Sequence, residues 1–110
     1  MTTNIAVFVV AAVLEIAGCF AFWLWLRRGM SFPIAGLGVA SLVGFAFTLT
    51  RVDSAFAGRA YAAYGGIYIV ASLLWLWVAE HQRPSTTDVI GAGLAVAGAV
   101  VIIGFAPKGP

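Results

Sequence analysis

The sequence predicts an all-α membrane protein, a four-transmembrane-helix bundle whose main solvent is the bilayer. Composition is the first observation: 63% of the 110 residues are hydrophobic and only 9% are charged, where soluble domains average about 25% charged. A chain this short leaves much of its surface uncovered, so a water-facing core cannot hide that apolar mass. The second observation is segmentation. Four apolar blocks, residues 5–26, 32–50, 60–79 and 89–106, are separated by the short polar stretches Arg27–Ser31, Arg51–Arg59 and Glu80–Asp88. Backbone groups in lipid must be paired within their own segment, so each block is expected to be a helix. The third is the absence of room for anything else: residues 1–110 read as one integral membrane domain.

The first block, Ile5–Leu26, spans roughly 33 Å at about 1.5 Å per residue, enough for a hydrocarbon layer of about 30 Å. It does not read as a cleaved leader: no Lys or Arg precedes it, and its apolar run is too long. Ile16-Ala17-Gly18-Cys19 resembles a lipoprotein cleavage box, but Glu15 interrupts the run before it and Phe20–Leu26 continues after it. The block ends in Phe22, Trp23 and Trp25, then Arg27 and Arg28, an aromatic belt followed by basic anchors. The second block, Phe32–Thr50, carries Pro33 at its start, where a missing N–H costs nothing. The third, Ala60–Ala79, ends in Trp75 and Trp77, so the four tryptophans mark one interface. The fourth, Val89–Ala106, is preceded by Asp88, placed to cap it and to suit the positive end of the helix dipole.

With four spans both termini lie on one side. That side holds Arg51, Arg59 and Lys108; the other holds Arg27, Arg28 and Arg83. A three-against-three balance removes the bias that fixes orientation. The expectation is a chain that inserts both ways and pairs as an antiparallel, dual-topology homodimer, an inverted pair made from one sequence.

Glu15 is the only residue inside the four blocks that is charged at neutral pH, and it lies near the middle of the first. A charge at bilayer depth costs roughly 2.5 kcal/mol or more, so an intramembrane acid marks a functional site by default. Phe8, Ala11, Ala12, Glu15, Gly18, Cys19 and Phe22 share a stripe at i, i+3, i+4 spacing, with small residues one turn either side of the acid. That leaves room for a ligand. A carboxyl group there can hold either a proton or a cation, the least device that proton-coupled exchange requires. In the third block Tyr61, Tyr64, Tyr68, Ser72 and Trp75 form a single stripe. The phenols offer hydrogen bonds to a carboxylate, and the rings attract cations to their faces. Gly65-Gly66 in the same helix weakens it and marks a candidate bend. The fourth block is rich in small residues; Gly91, Ala95, Gly98 and Ala99 lie on one face, expected at a dimer interface, with packing against the chain's own helices as the alternative.

Other classes are unsupported. The six basic residues form no stripe for nucleic acid. One cysteine permits no internal disulfide or cysteine zinc site, and His81 lacks ligand partners at useful spacing, so no metal and no cofactor is expected. No nucleophile triad, carboxylate pair or phosphate loop occurs, and catalysis is not expected.

Leu14-Glu15-Ile16-Ala17-Gly18-Cys19-Phe20, Trp23-Leu24-Trp25-Leu26-Arg27 and Gly58-Arg59-Ala60-Tyr61-Ala62-Ala63-Tyr64-Gly65-Gly66-Ile67-Tyr68 resemble the YnfA family of small inner-membrane proteins along the whole chain. More distantly the chain is similar to the small multidrug resistance transporters, four-helix antiparallel homodimers that exchange protons for cations. That resemblance implies that Glu15 matches their membrane glutamate and Tyr61 their third-helix tyrosine. Tyr64 stands where they carry tryptophan, and Gly91, Leu94 and Gly98 partly meet their dimer motif. The expectation is a transporter of the bacterial inner membrane that exports small organic or aromatic cations against protons. Its shared site would hold Glu15 of both copies, lined by Tyr61, Tyr64, Tyr68 and Trp75. Its partners would be a second copy, lipid, protons and the cation. A small ion channel and a structural or regulatory membrane subunit are the rival readings.

Overall fold

The computed structural model of the protein describes residues 2–53 and 56–105. It contains four helices in chain order: α1 (Thr2–Arg28), α2 (Pro33–Leu49), α3 (Ala57–Val78) and α4 (Thr86–Gly104). Among the described residues there is no strand. The expected end of the fourth helix at Ala106, and Lys108 of the charge balance, lie outside the described residues. α1, α3 and α4 are each long and apolar enough to cross a bilayer. α2, at 17 residues, is shorter; at about 1.5 Å per residue it reaches about 25 Å, the lower limit for a span.

The helices form two compact units, Met1–Val52 and Asp53–Pro110. Each is a helical hairpin, α1 against α2 and α3 against α4.

In the first hairpin two glycines set the approach. A Cβ on Gly18 would lie 2.9 Å from the Gly38 carbonyl oxygen and 2.7 Å from Leu42 Cγ; a Cβ on Gly38 would lie 2.9 Å from the Gly18 carbonyl oxygen. Only backbone fits at this crossing, the small-residue packing that membrane helices use in place of a hydrophobic driving force. The Ser41 hydroxyl adds a bond across the hairpin, donating to the Leu14 carbonyl at 2.6 Å. Phe8, Ala11, Ala12, Ile16 and Ala21 of α1 are buried, as is Ala35 of α2.

In the second hairpin the approach is one-sided. A Cβ on Gly66 would lie 2.7 Å from Ala99 Cβ and 3.2 Å from the Ala95 carbonyl oxygen. Ala92, Ala95 and Ala99 are half-buried, while Gly91, Leu94 and Gly98 are exposed. No residue of α4 is fully buried.

The two hairpins turn alike. Trp23-Leu24-Trp25-Leu26 closes α1 and Trp75-Leu76-Trp77-Val78 closes α3. Five residues past the leucine of each run the backbone enters the left-handed region, at Gly29 (φ 71°) and at His81 (φ 60°). The next amide then reaches back to that leucine: Met30 N–H donates to the Leu24 carbonyl at 3.1 Å, and Gln82 N–H to the Leu76 carbonyl at 3.0 Å. Glycine takes that conformation without strain; histidine takes it against its preference.

Three helices start three residues before expectation, and α1, which begins at Thr2, also runs two residues past Leu26 to Arg28. α4 begins at Thr86, three residues before Val89, because Ser85 is its N-cap. The Ser85 hydroxyl accepts from Asp88 N–H at 3.1 Å, and the Asp88 carboxylate accepts from Ser85 N–H at 2.9 Å. Asp88 is therefore the third residue of a capping box rather than the cap itself. α3 begins at Ala57, so Gly58 and Arg59 belong to its first turn and the Arg51–Arg59 loop is shorter than nine residues. Arg59 lies over the Phe56 ring, 5.6 Å from its centroid, which gives the cation an attractive face at a helix end whose dipole disfavours it.

Candidate functional site

Glu15 lies one turn before the Gly18–Gly38 crossing and is half-buried. The stripe expected around it is the packed side of α1 on its N-terminal half: Phe8, Ala11 and Ala12 are buried, Ala11 and Ala12 completely. Beyond the acid the stripe opens, with Gly18 buried, Phe22 half-buried and Cys19 exposed. Ser41 holds the carbonyl of the residue immediately before Glu15. A Cβ on Gly44 would meet Leu14 Cδ1 at an ordinary 3.6 Å. The acid therefore stands on a backbone fixed from two sides, by a glycine crossing and by an interhelical hydrogen bond.

The sequence reading passed over Ser41. The signal was present, because a hydroxyl within an apolar helix needs a bonding partner at bilayer depth. Thr48 answers the same need differently, donating to the Gly44 carbonyl one turn back at 2.8 Å.

The aromatic stripe lies on the second hairpin. Tyr64 is buried, Tyr68 and Trp75 are half-buried, and Tyr61 is 57% exposed. The Tyr64 and Tyr68 rings lie 5.9 Å apart between centroids at 40°, close enough to present adjacent π faces and hydroxyls. α3 is one continuous helix through Gly65 and Gly66. Gly66 is explained by packing against Ala95 and Ala99, whereas a Cβ on Gly65 would meet nothing within 4 Å. Of the positions expected to pack a dimer, Ala95 and Ala99 serve the hairpin's own contact, while Gly91 and Gly98 face open space and Leu94 is 71% exposed.

At the turn of the first hairpin the Arg27 guanidinium sits 4.5 Å from the Trp23 ring centroid. Trp25 meets Phe32 edge-on at 5.3 Å across the turn. The belt is thus a set of aromatic and cation contacts. Among the described residues, no three His, Cys, Asp or Glu side chains gather as a metal site would require.

The family model described as "Uncharacterised BCR, YnfA/UPF0060 family" matches residues 1–109. The chain belongs to this family. It is 58% identical over 101 residues to a UPF0060 membrane protein of Ectopseudomonas mendocina, covering 92% of this chain and 91% of that protein. It is 53% identical over 103 residues to a UPF0060 membrane protein of Brucella anthropi, covering 94% and 96%. No solved structure matches. Relatives named as membrane proteins agree with three helices able to span a bilayer, and the YnfA/UPF0060 chain is a multi-pass helical membrane protein.

Proposed function

We propose that this YnfA/UPF0060 protein is a proton-coupled exporter of small organic or aromatic cations in the bacterial inner membrane, working as an antiparallel homodimer and not as an enzyme. One observation carries the reading: Glu15, an acid away from any helix end in a spanning helix, is half-buried at mid-helix on the most tightly locked part of the first hairpin. A carboxylate kept at that depth is costly and is retained where charge is exchanged. Proton and cation compete for it. Binding one releases the other, and that competition couples the two fluxes.

The rest of the molecule supplies what such a site needs. Tyr64 and Tyr68 offer paired rings and hydroxyls to a cation, with Tyr61 and Trp75 further along the same helix. Two copies would bring two Glu15 carboxyls to a shared site. Gly91, Leu94 and Gly98 offer the second copy a face that the hairpin leaves open. Gly65, whose Cβ direction is open, gives α3 a point of lower helix propensity for a change of access.

Purified protein in proteoliposomes tests the reading. With an inward proton gradient, wild type should move an organic cation such as methyl viologen or a quaternary ammonium and dissipate the gradient in proportion. Glu15→Gln should do neither. Current without cation-dependent proton counterflow would replace the exporter with a channel. Equal behaviour of wild type and Glu15→Gln would reduce Glu15 to a helix-to-helix hydrogen bond in a structural subunit.

A further inference from the structure

The first hairpin carries a second feature, nearer the N-terminus of α1 than Glu15. Between the N-terminal turns of α1 and the C-terminal end of α2 lies a groove of about 330 Å³, lined by Ala6, Val7, Val10, Phe47, Thr48 and Arg51. Its volume is in the range of small-ligand clefts, about 300–1,000 Å³. Val10 is 51% exposed and Phe47 67% exposed, so the groove is open along its length. Its walls belong to two helices of a membrane protein, which places the apolar part at hydrocarbon depth. Arg51 follows the C-terminal cap of α2 and stands at the groove's polar end, where the helix gives way to the loop.

The occupant is constrained from both directions. A guanidinium at the mouth repels cations, so the groove is not a second station for the exported cation. Free inorganic anions would satisfy Arg51 but leave the apolar walls in contact with nothing of their kind. A neutral acyl chain would fill the walls and leave the guanidinium without a counter-charge. A molecule with an anionic head and an aliphatic tail satisfies both Arg51 and the apolar walls. Basic positions between spanning helices at the headgroup level are where anionic lipids are held, and guanidinium binds phosphate through two parallel N–H donors.

We propose that this groove is a binding site for an anionic phospholipid, its phosphate on Arg51 and one acyl chain along Ala6, Val7, Val10 and Phe47. A held lipid would fill the open side of the α1–α2 hairpin beyond the reach of the Gly18–Gly38 crossing. The site does not depend on Glu15 or on transport.

The test is lipid retention. Protein purified in a mild detergent is titrated with phosphatidylglycerol or with phosphatidylcholine of the same chains, and retained lipids are counted by native mass spectrometry. Wild type should hold one phosphatidylglycerol per chain in preference to phosphatidylcholine. Arg51→Gln should reduce that preference roughly fivefold, the weight of one basic residue at a membrane surface. Val10→Trp, which fills the groove, should remove the retained lipid of either type, and Arg59→Gln, outside the groove, should change nothing. Short-chain phosphate esters should not compete if the acyl chain contributes. Equal retention by wild type and Arg51→Gln, or a preference that follows Arg59 instead, would overturn the proposal. So would cross-linking of Phe47 to a second copy of the chain in place of lipid.

Discussion

In the first hairpin glycine faces glycine, and each would place a Cβ 2.9 Å from the other's carbonyl oxygen. In the second, Gly66 faces Ala99, and the closest obstacle is a methyl group 2.7 Å away. Both hairpins close on a Trp-Leu-Trp run and a left-handed residue, yet their chemistry is divided. The acid stands on the hairpin whose helices meet backbone to backbone, with Ser41 as an added bond. The phenols stand on the hairpin whose second helix has no fully buried residue. Under the proposed exchange of a proton for a cation, a fixed position matters most for the carboxyl group, because electrostatic sites work by being preorganised.

The sharpest way to break this comparison is to add one methyl to each crossing. Gly38→Ala should cost about 1–3 kcal/mol, the usual range for overpacking, measured by reversible unfolding in mixed micelles. No single small-residue change should restore it, since the obstacle includes the Gly18 carbonyl. Gly66→Ala should cost a similar amount, but Ala99→Gly in the same chain should recover most of it. If Gly38→Ala is neutral, or if Gly66→Ala is not rescued, the two crossings do not differ in the way described.

The helix starts differ too. α4 opens with a full capping box, whereas α2 opens with Pro33 and has no side-chain cap. Ser85→Ala should cost about 1 kcal/mol and speed amide exchange in the first turn of α4 alone. Loss of protection spreading through the whole of α4 would contradict a local cap.

Smaller effects refine the picture. Ser41→Ala removes one interhelical bond and should cost about 0.6 kcal/mol, with a measurable fall in cation affinity because it loosens the backbone beside Glu15. Gly91→Ala should leave unfolding of the chain within about 0.5 kcal/mol, as for an exposed position. The same substitution should lower the dimer fraction seen by cross-linking, because it thickens the open face of α4.

Much of this was legible in the sequence, and the reasons are local. Glu15 stood out because nothing else in its segment is charged at neutral pH, and the four helices stood out because apolar blocks of that length have few alternatives in lipid. The start of α4 was misplaced because Ser85, Thr86 and Thr87 look like loop to a hydropathy reading, although Ser85 and Asp88 spell a capping box. α3 was started late because Gly58 and Arg59 look like loop for the same reason. The small residues of α4 could be placed on a face, but periodicity alone did not say which went to α3. The structure gives Ala95 and Ala99 to Gly66 and leaves Gly91, Leu94 and Gly98 outward. The need of the Ser41 hydroxyl for a partner was legible, but that the partner is a backbone carbonyl on another helix is something no side-chain pattern reveals.

The central claim is that proton and cation compete for Glu15. The most direct measurement is proton release on cation binding, followed with a pH indicator in weakly buffered detergent solution at constant ionic strength. Wild type should release protons as methyl viologen or a quaternary ammonium binds, saturating with the binding curve, and Glu15→Gln should release none. Binding without proton release in wild type, or the same release from Glu15→Gln, would contradict the account.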